Sequence, residues 1–534
     1  YVVPADQVAE IKKAFPNKSV EAYMGGTDRV PTKSGSLTKE EAKKLQLNTI
    51  SSLLNQIITL VCGFILPRYI LSYYGSTVNG LVSSVQQLLG LISFCELGVG
   101  AVVQSALYKP LADNDGMLTS KILISARKFF DKVGIILSVY VVLLAAFFPL
   151  SQRDDFDYIS TMFLVLAMSI SYFAQYFFGV RDQLLVNADQ RSYIQLFYQS
   201  LTVIINTVLS VVIIKCGASI QIVKLITSLV YLIRPVGLAI YVKRNYKIDY
   251  SLKLTEEPIK QKWNGLAQHF ATVVLQNTDT VVLTFFSTLI NVSIYNVYNL
   301  VLTGVQKIVS SLTSGAQSLF GNLLARGEME LLGETFDCVE WLFHVVTVLA
   351  FTMTGVLIVP FVQIYTKKII DANYIVPLFA ALLTCATALY CLRSPYTITV
   401  LAAGHYKQTQ NSAIIEMILN VVISIGLVFW LGLIGVAIGT MISVTYRTVY
   451  FALYLRKNIL KRRFTLFVKH ILVDIVTVVC MVAATFWIKL SAVNYFAWII
   501  MALECGGICL AVSIIINLIF YRKTLKNVIQ LFFR

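Results

Sequence analysis

Charged residues are scarce in this chain. Asp, Glu, Lys and Arg make up 13% of its 534 residues, whereas hydrophobic residues make up 57%. Soluble domains carry about 25% charged residues, so this composition excludes a water-soluble fold. Long apolar runs recur as far as the C-terminus, and a helix needs about 20 such residues to cross the hydrocarbon core of a bilayer. The sequence therefore predicts an all-α, polytopic membrane protein.

Metal-binding and catalytic patterns are also missing. The four histidines are dispersed, and the nine cysteines show no CxxC spacing, so we expect no metal and interpret the cysteines as small buried hydrophobes. The sequence has no P-loop and no GxGxxG motif, and the predicted outer loops are short. We therefore expect a transporter or channel and not an enzyme. The net charge of +16 does not indicate a nucleic-acid partner, because the basic residues lie in short links between apolar runs.

Fourteen membrane spans are predicted from these runs. They cover residues 48–71, 79–107, 129–150, 157–179, 194–214, 219–242, 265–287, 292–324, 336–364, 374–402, 411–430, 433–455, 465–488 and 495–520. A polar N-terminal arm, 1–47, precedes them, and we interpret 1–23 as a leader or otherwise added sequence because Met24 is the only methionine before the first span. Lys and Arg concentrate in alternate links, and the positive-inside rule then predicts that both termini are cytoplasmic.

The two halves of the chain echo each other at a nearly constant offset. The recurring pairs include Asn206 with Asn420, Ser210 with Ser424 and Arg234 with Arg447. A repeat of six helices enters the membrane in the same orientation twice, so the two copies should be related by an axis along the membrane normal. We expect two six-helix lobes, 48–242 and 265–455, around a central cavity. A cytoplasmic linker, 243–264, joins them, and 456–534 adds two helices and a basic tail.

Three segments carry a family resemblance. They read "ELGVGAVVQSALYKPLADND", "LQNTDTVVLTFF" and "LAAGHYKQTQNSAIIEMILNVVISIGLVFWLGLIGVAIGT". These resemble the polysaccharide-transporter flippases of the multidrug/oligosaccharidyl-lipid/polysaccharide exporter superfamily. The resemblance implies alternating-access transfer of an undecaprenyl-pyrophosphate-linked oligosaccharide from the inner to the outer leaflet, for capsule, O-antigen or exopolysaccharide synthesis. It also implies a bacterial inner (cytoplasmic) membrane as the location, and membrane lipids, a polysaccharide polymerase and glycosyltransferases of the same pathway as partners.

Two sister groups of the superfamily remain open as alternatives. Flippases of lipid II or another cell-wall precursor share the fourteen helices and a cationic cavity. Cation-coupled multidrug exporters usually have twelve helices and an acidic residue in the first span, but "LNTISSLLNQIITLVCGFILP" contains no acid.

Ionisable residues inside predicted spans are the candidate site residues, because a charge exposed to lipid is costly. Glu96, Asp279, Lys307 and Arg393 lie deep in their spans. Arg393 and Lys307 bind the pyrophosphate, pair with Asp279 and Glu96 respectively as structural bridges, or extend to the inner membrane surface; the sequence leaves all three open. The substrate-binding candidates are Arg393, Lys307, Arg234, Arg447, Gln306 and Asn277. Asp279 and Glu96 are the candidates for coupling to Na⁺ or H⁺, and no other cofactor is expected.

Overall fold

A computed structural model describes residues 39–152, 155–252 and 266–522. These residues form helices and turns and contain no β-strand, which confirms the all-α prediction. The arm before residue 39, most of the linker and the tail after residue 522 lie outside the described residues. Eleven of the described helical segments are long and apolar enough to cross a membrane.

Eighteen α-helices are numbered here in chain order over the described residues. They are α1 Lys39–Gly90, α2 Phe94–Ala112, α3 Gly116–Ser151, α4 Tyr158–Ala174, α5 Val180–Ala188, α6 Ser192–Lys215, α7 Ile220–Val230, α8 Ile233–Asn245, α9 Leu266–Phe286, α10 Leu289–Ser310, α11 Thr313–Arg326, α12 Met329–Tyr365, α13 Pro377–Leu392, α14 Ser394–Ala402, α15 Tyr406–Leu431, α16 Leu433–Asn458, α17 Phe464–Thr485 and α18 Tyr495–Phe520.

Some of the fourteen predicted spans are joined or divided in the structure. The first two share α1, which is interrupted at Gly75 by a positive φ of 83°. A residue with a side chain rarely adopts that conformation, so glycine permits the chain to reverse there. The seventh span is α9, and the eighth is divided between α10 and α11. The tenth is broken at Arg393, because Pro395 at the start of α14 lacks the N–H that would continue the helix.

Each half of the chain has a hydrophobic core of its own. One core is built from residues between Ile70 and Val242, with Leu289 added from the second half. Two further cores are built almost entirely from residues between 282 and 467. The halves meet where α1 and α2 pack against α9 and α10, and the hairpin α17–α18 packs against α12. The described contacts thus separate an N-terminal half, a C-terminal half and a C-terminal hairpin.

Contacts between loops define the two ends of the helix bundle. Ser76 contacts Asp371, and Arg68 contacts Tyr495, so their segments share one end, which we call the Gly75 end. Asn48 contacts the Gln190 carbonyl at the opposite end, where the links after α8 and α16 also lie. We call this the Arg462 end.

The pair α15–α16 is held unusually close by small residues. A Cβ on Gly435 would lie 2.5 Å from the carbonyl oxygen of Leu427, and one on Gly439 would lie 2.2 Å from the hydroxyl of Ser424. Gly432, with a φ of 53°, forms the turn between the two helices. This close approach brings the polar residues of the two helices within hydrogen-bonding distance of each other.

Substituting Gly435 by alanine should destabilise the protein. The new methyl group would meet backbone atoms that cannot move aside, and overpacking of this kind costs about 1–3 kcal/mol. We expect a lower melting temperature in detergent for Gly435→Ala. Gly426→Ala is the matched control on α15, because nothing lies within 4 Å of a Cβ there. Equal melting temperatures for the two variants would contradict the packing argument.

Candidate functional site: charged and polar clusters inside the helix bundle

Arg393, Glu416 and Arg447 form a buried ionic cluster in the C-terminal half. Arg393 Nη1 donates to Glu416 Oε1 at 2.5 Å, and Arg447 Nη1 donates to Glu416 Oε2 at 2.6 Å. The glutamate is fully buried, and the arginine side chains are 5% and 7% exposed. The break after α13 places Arg393, while α15 and α16 supply the other two residues. We call these three residues the arginine–glutamate cluster.

The arginine–glutamate cluster carries one more positive than negative charge. Arg393 also lies over the Tyr390 ring, and Arg447 lies over the Phe451 ring. Arg447 Nε is buried and has no hydrogen-bond partner among the described residues. Removing one partner of a buried ion pair costs about 3–5 kcal/mol, so Glu416 is needed to hold both arginines. The remaining positive charge is a physical basis for attracting an anion.

Asp279 lies in a separate polar cluster in which its partners are uncharged groups. Its carboxylate accepts hydrogen bonds from the Thr440 hydroxyl at 2.7 and 2.8 Å and from the Tyr295 hydroxyl at 3.0 Å. The Asn420 amide lies 3.0 Å from Thr440 Oγ1 and 3.4 Å from Asp279 Oδ1. Asp279 makes no ion pair among the described residues, so the structural bridge to Arg393 that the sequence left open is not formed. The partner of Arg393 is Glu416.

The Asp279 cluster is rich in oxygen atoms. The Val436 carbonyl oxygen lies 3.2 Å from the Thr440 hydroxyl and 3.5 Å from the Ser424 hydroxyl. The side-chain oxygen of Asn420 is buried without a partner among the described residues. Carboxylate, hydroxyl, amide and carbonyl oxygens therefore converge from α9, α15 and α16, and oxygens of these kinds suit a hard cation.

The other candidates from the sequence do not join these clusters. Arg234 is half-buried and donates to Gln183 Oε1 at 2.7 Å in the N-terminal half, so the two arginines related by the repeat bind different partners. Lys307 is exposed in the last turn of α10 and makes no ion pair among the described residues. Gln306 is half-buried beside it, and the Asn277 amide donates to the Val273 carbonyl of its own helix.

Two site residues show the limits of the sequence analysis. The backbone of Glu96 belongs to α2, but its side chain lies outside the described residues, so its role stays a prediction. Glu416 was missed because it lies inside the apolar run of the eleventh predicted span. A lone acid in an apolar run is the signal that identified Asp279 as a candidate. Glu416 carries the same signal and could have been identified in the same way.

Polar contacts join the two halves at the Gly75 end. Asp371 accepts from the Ser76 backbone N–H at 2.6 Å and from its hydroxyl at 2.7 Å. The Tyr374 hydroxyl contacts both Ser76 and Ser293, and the Asn79 amide donates to Ser293 Oγ. We call these five residues the polar latch. It connects the reversal in α1 with α10 and with the link before α13.

The fold and these buried clusters define the class of protein. Two helical halves with separate cores, joined by polar contacts and holding charges inside the helix bundle, form the architecture of a multi-pass membrane protein. No protein-family model and no curated protein matches the sequence. The fold is nevertheless shared with solved structures of the multidrug/oligosaccharidyl-lipid/polysaccharide exporter superfamily.

One similar structure is the lipid II flippase MurJ in an inward closed conformation. It aligns with a TM-score of 0.70 and 16% identity over 90% of this chain and 99% of its own. The MATE multidrug transporter DinF-BH aligns with a TM-score of 0.57 and 12% identity, over 79% of this chain and 97% of its own. An inward-facing multidrug resistance MATE family transporter aligns with a TM-score of 0.56 and 15% identity, over 75% of this chain and 94% of its own. The superfamily resemblance is thus confirmed at the level of the fold.

Breaking the polar latch should open the Gly75 end more often. Asp371→Ala removes two hydrogen bonds to a charged acceptor, each worth about 1.5–3 kcal/mol. The ratio of closed to open molecules should therefore fall at least roughly tenfold. Thr284, buried next to Ser84 below the latch, can be replaced by cysteine in a background without the native cysteines. Its labelling by a membrane-impermeant maleimide should then be faster in Asp371→Ala.

Asp155→Ala is the control for this experiment, because Asp155 is an exposed acid in the link between α3 and α4 at the same end. It should leave the labelling rate of the cysteine at position 284 unchanged. Unchanged labelling in Asp371→Ala would show that the latch does not hold this end closed.

Proposed function

We propose that the protein is a flippase that moves an undecaprenyl-pyrophosphate-linked oligosaccharide from the inner to the outer leaflet by alternating access, for surface polysaccharide synthesis. The observation that carries this proposal is the fold that it shares with a lipid II flippase over nearly the whole of both chains. The MATE transporters align over no more than 79% of this chain. The shorter alignment is consistent with a C-terminal hairpin that a twelve-helix exporter does not need.

The excess positive charge inside the helix bundle supports a substrate with an anionic headgroup. The arginine–glutamate cluster has an excess positive charge, and Lys307 adds an exposed cation without an acidic partner among the described residues. Arginine matches phosphate oxygens with a planar pair of donors, whereas lysine acts as a point charge. A cationic drug would be repelled by the same residues, which disfavours the multidrug alternative. Lipid II also carries a pyrophosphate, so a cell-wall precursor flippase remains the second candidate.

A groove beside the C-terminal hairpin supports a lipid substrate. It has a volume of about 460 Å³ and lies at the Gly75 end between α12, α17 and the start of α18. Val356, Pro360, Val482, Phe486 and Met501 contribute apolar walls, with Lys489 among the lining residues. An apolar groove with a cation suits a polyprenyl chain and the phosphate attached to it. We propose that the tail of the substrate occupies this groove while the head crosses between the two halves.

The proposed mechanism also requires an orientation in the membrane and a coupling cation. The basic links favour an orientation with the Arg462 end and both termini on the cytoplasmic side, and the proposed substrate implies a bacterial inner membrane. The polar latch then closes the outer side. Glycosyltransferases act on the substrate before transport, and the polymerase acts after it.

The oxygen atoms around Asp279 form the binding site of the coupling cation. Na⁺ fits this ligand set, and H⁺ is the alternative. Residues 48–242 and 265–455 act as the moving lobes.

Removing Arg393 should weaken binding of the pyrophosphate lipid selectively. Arg393→Ala leaves Glu416 paired with Arg447, so the protein should still fold. We expect the purified full-length variant to lose about 1.5–3 kcal/mol, roughly ten- to more than a hundredfold in affinity, for the lipid with a pyrophosphate. Arg393→Lys should lose less because it keeps the charge but not the planar fork. Lys307→Ala should add to the defect.

The decisive comparison uses the same polyprenyl lipid without the pyrophosphate. Its binding should be the same in wild type and Arg393→Ala. Arg127→Ala is the control, because Arg127 is an exposed arginine that pairs with Asp131 on α3, and it should change neither affinity. If Arg393→Ala weakens both lipids equally, the cluster acts in packing and does not bind the headgroup.

Asp279→Asn should abolish the coupling of transport to the cation. In wild type, Na⁺ should raise the melting temperature and stimulate transport, and both effects should be lost in Asp279→Asn and reduced in Thr440→Val. Thr278→Val is the matched control, because the Thr278 hydroxyl donates only to the Val274 carbonyl of its own helix among the described residues. Transport that depends on pH but not on Na⁺ would identify H⁺ instead, and full Na⁺ stimulation in Asp279→Asn would exclude Asp279 from coupling.

A further inference from the structure

A second ionisable cluster lies where the C-terminal hairpin packs against the C-terminal half at the Arg462 end. Glu340 and His344 come from α12, and His470 and Asp474 come from α17. Arg462 lies in the link before α17. The side chains of Glu340, His344 and His470 are at most 8% exposed. Neither the substrate nor the Asp279 site involves these residues, so their burial requires a separate explanation.

Both carboxylates of this cluster have close partners. Glu340 Oε2 forms an ion pair with Arg462 Nη2 at 2.7 Å, and Glu340 Oε1 accepts a hydrogen bond from the Tyr396 hydroxyl of α14. Asp474 Oδ2 lies 2.5 Å from His344 Nδ1. Burial lowers the pKa of Arg462, but the Glu340 carboxylate more than compensates and keeps that pKa above its ordinary value, so Arg462 and Glu340 neutralise each other. Asp474, whose side chain is 16% exposed, is left as the negative charge that lacks a cation among the described residues.

The two imidazole rings are not equivalent. They stack with their centroids 4.8 Å apart, so two positive charges there would repel each other strongly. His470 is satisfied as a neutral ring, because the Tyr521 hydroxyl lies 2.8 Å from Nδ1 and Glu340 Oε2 lies 3.5 Å from Nε2. His344 differs, because its Nε2 is buried without a partner among the described residues. This nitrogen is therefore free to accept a proton.

The remaining charged groups around the rings do not supply that positive charge. Asp337 is half-exposed and contacts Arg462 at 3.2 Å. Lys469 is exposed on α17, with its ammonium over the Tyr521 ring and near the Phe520 carbonyl. With both histidines neutral, Asp474 is not compensated by any of these contacts. With one proton on His344, the buried groups have no net charge, which is the favourable state in a medium of low dielectric.

We propose that His344 and Asp474 form a proton-binding site, separate from Asp279, whose proton fastens the C-terminal hairpin to the C-terminal half. His344 takes the proton at Nε2 and becomes an imidazolium, and its Nδ1–H donates to the Asp474 carboxylate. His470 stays neutral and packs against the charged ring. The docked hairpin binds the proton more tightly than the undocked hairpin does. Docking therefore weakens as the pH rises through the range in which His344 loses its proton.

Nitrogen NMR of the full-length protein in nanodiscs tests the protonation state directly. The chain contains only four histidines, at 269, 344, 405 and 470, so single His→Gln variants assign all signals. We expect the ¹⁵N shifts of His344 to be those of an imidazolium near pH 6 and those of His470 to be those of a neutral ring. The Asp474→Asn variant should make His344 neutral at the same pH. A neutral His344 throughout pH 5–9 in wild type would overturn the proposal without any variant.

Hydrogen exchange tests the consequence for the hairpin. After correction for intrinsic exchange, protection factors of α17 amides should fall about tenfold per pH unit where His344 deprotonates, which is the slope of one linked proton. Asp474→Asn should remove this dependence. His405→Gln should keep it, because His405 contacts Tyr454 and not the hairpin. The same slope in wild type and Asp474→Asn would also overturn the proposal.

Discussion

The cost of burying charge inside a membrane protein governs the arrangement of the C-terminal half. Glu416 faces two arginines from different helices, and no one of the three residues can be removed without changing the balance of buried charge. For this contact to form, the helix break at Arg393, the middle of α15 and the middle of α16 must converge on one point. The close glycine-mediated packing of α15 against α16 makes that convergence possible.

The same helix pair also builds the Asp279 cluster. Asn420 lies one turn from Glu416 along α15, and Thr440 lies two turns from Arg447 along α16. The arginine–glutamate cluster and the oxygen cluster are therefore mechanically connected through two rigid helices. In the proposed flippase, a cation bound at Asp279 changes the same helix packing that positions the arginines for the headgroup. Coupling then needs no contact between the ion and the lipid.

Polar contacts also join the structural units to one another. The polar latch joins the two halves at the Gly75 end, and the contacts of His344 with Asp474 and of Glu340 with Tyr396 join α12 to the hairpin and to α14. The hydrophobic effect cannot select a unique helix arrangement in lipid, since lipid chains are themselves apolar. Hydrogen bonds and ion pairs between units supply that selectivity, and they can break and re-form in the proposed transport cycle.

Composition and the lengths of the apolar runs determined the all-α membrane class, because each depends only on local chemistry. The reversal at Gly75 lies in the predicted link between the first two spans, whereas the break before Pro395 falls inside the predicted tenth span. The partners of the buried charges were decided by the tertiary structure alone. Arg393 and Glu416 are 23 residues apart, and His344 and Asp474 are 130 apart. Pairing of this kind depends on which helix faces touch, and a uniformly apolar helix does not encode its contact face in a periodic pattern.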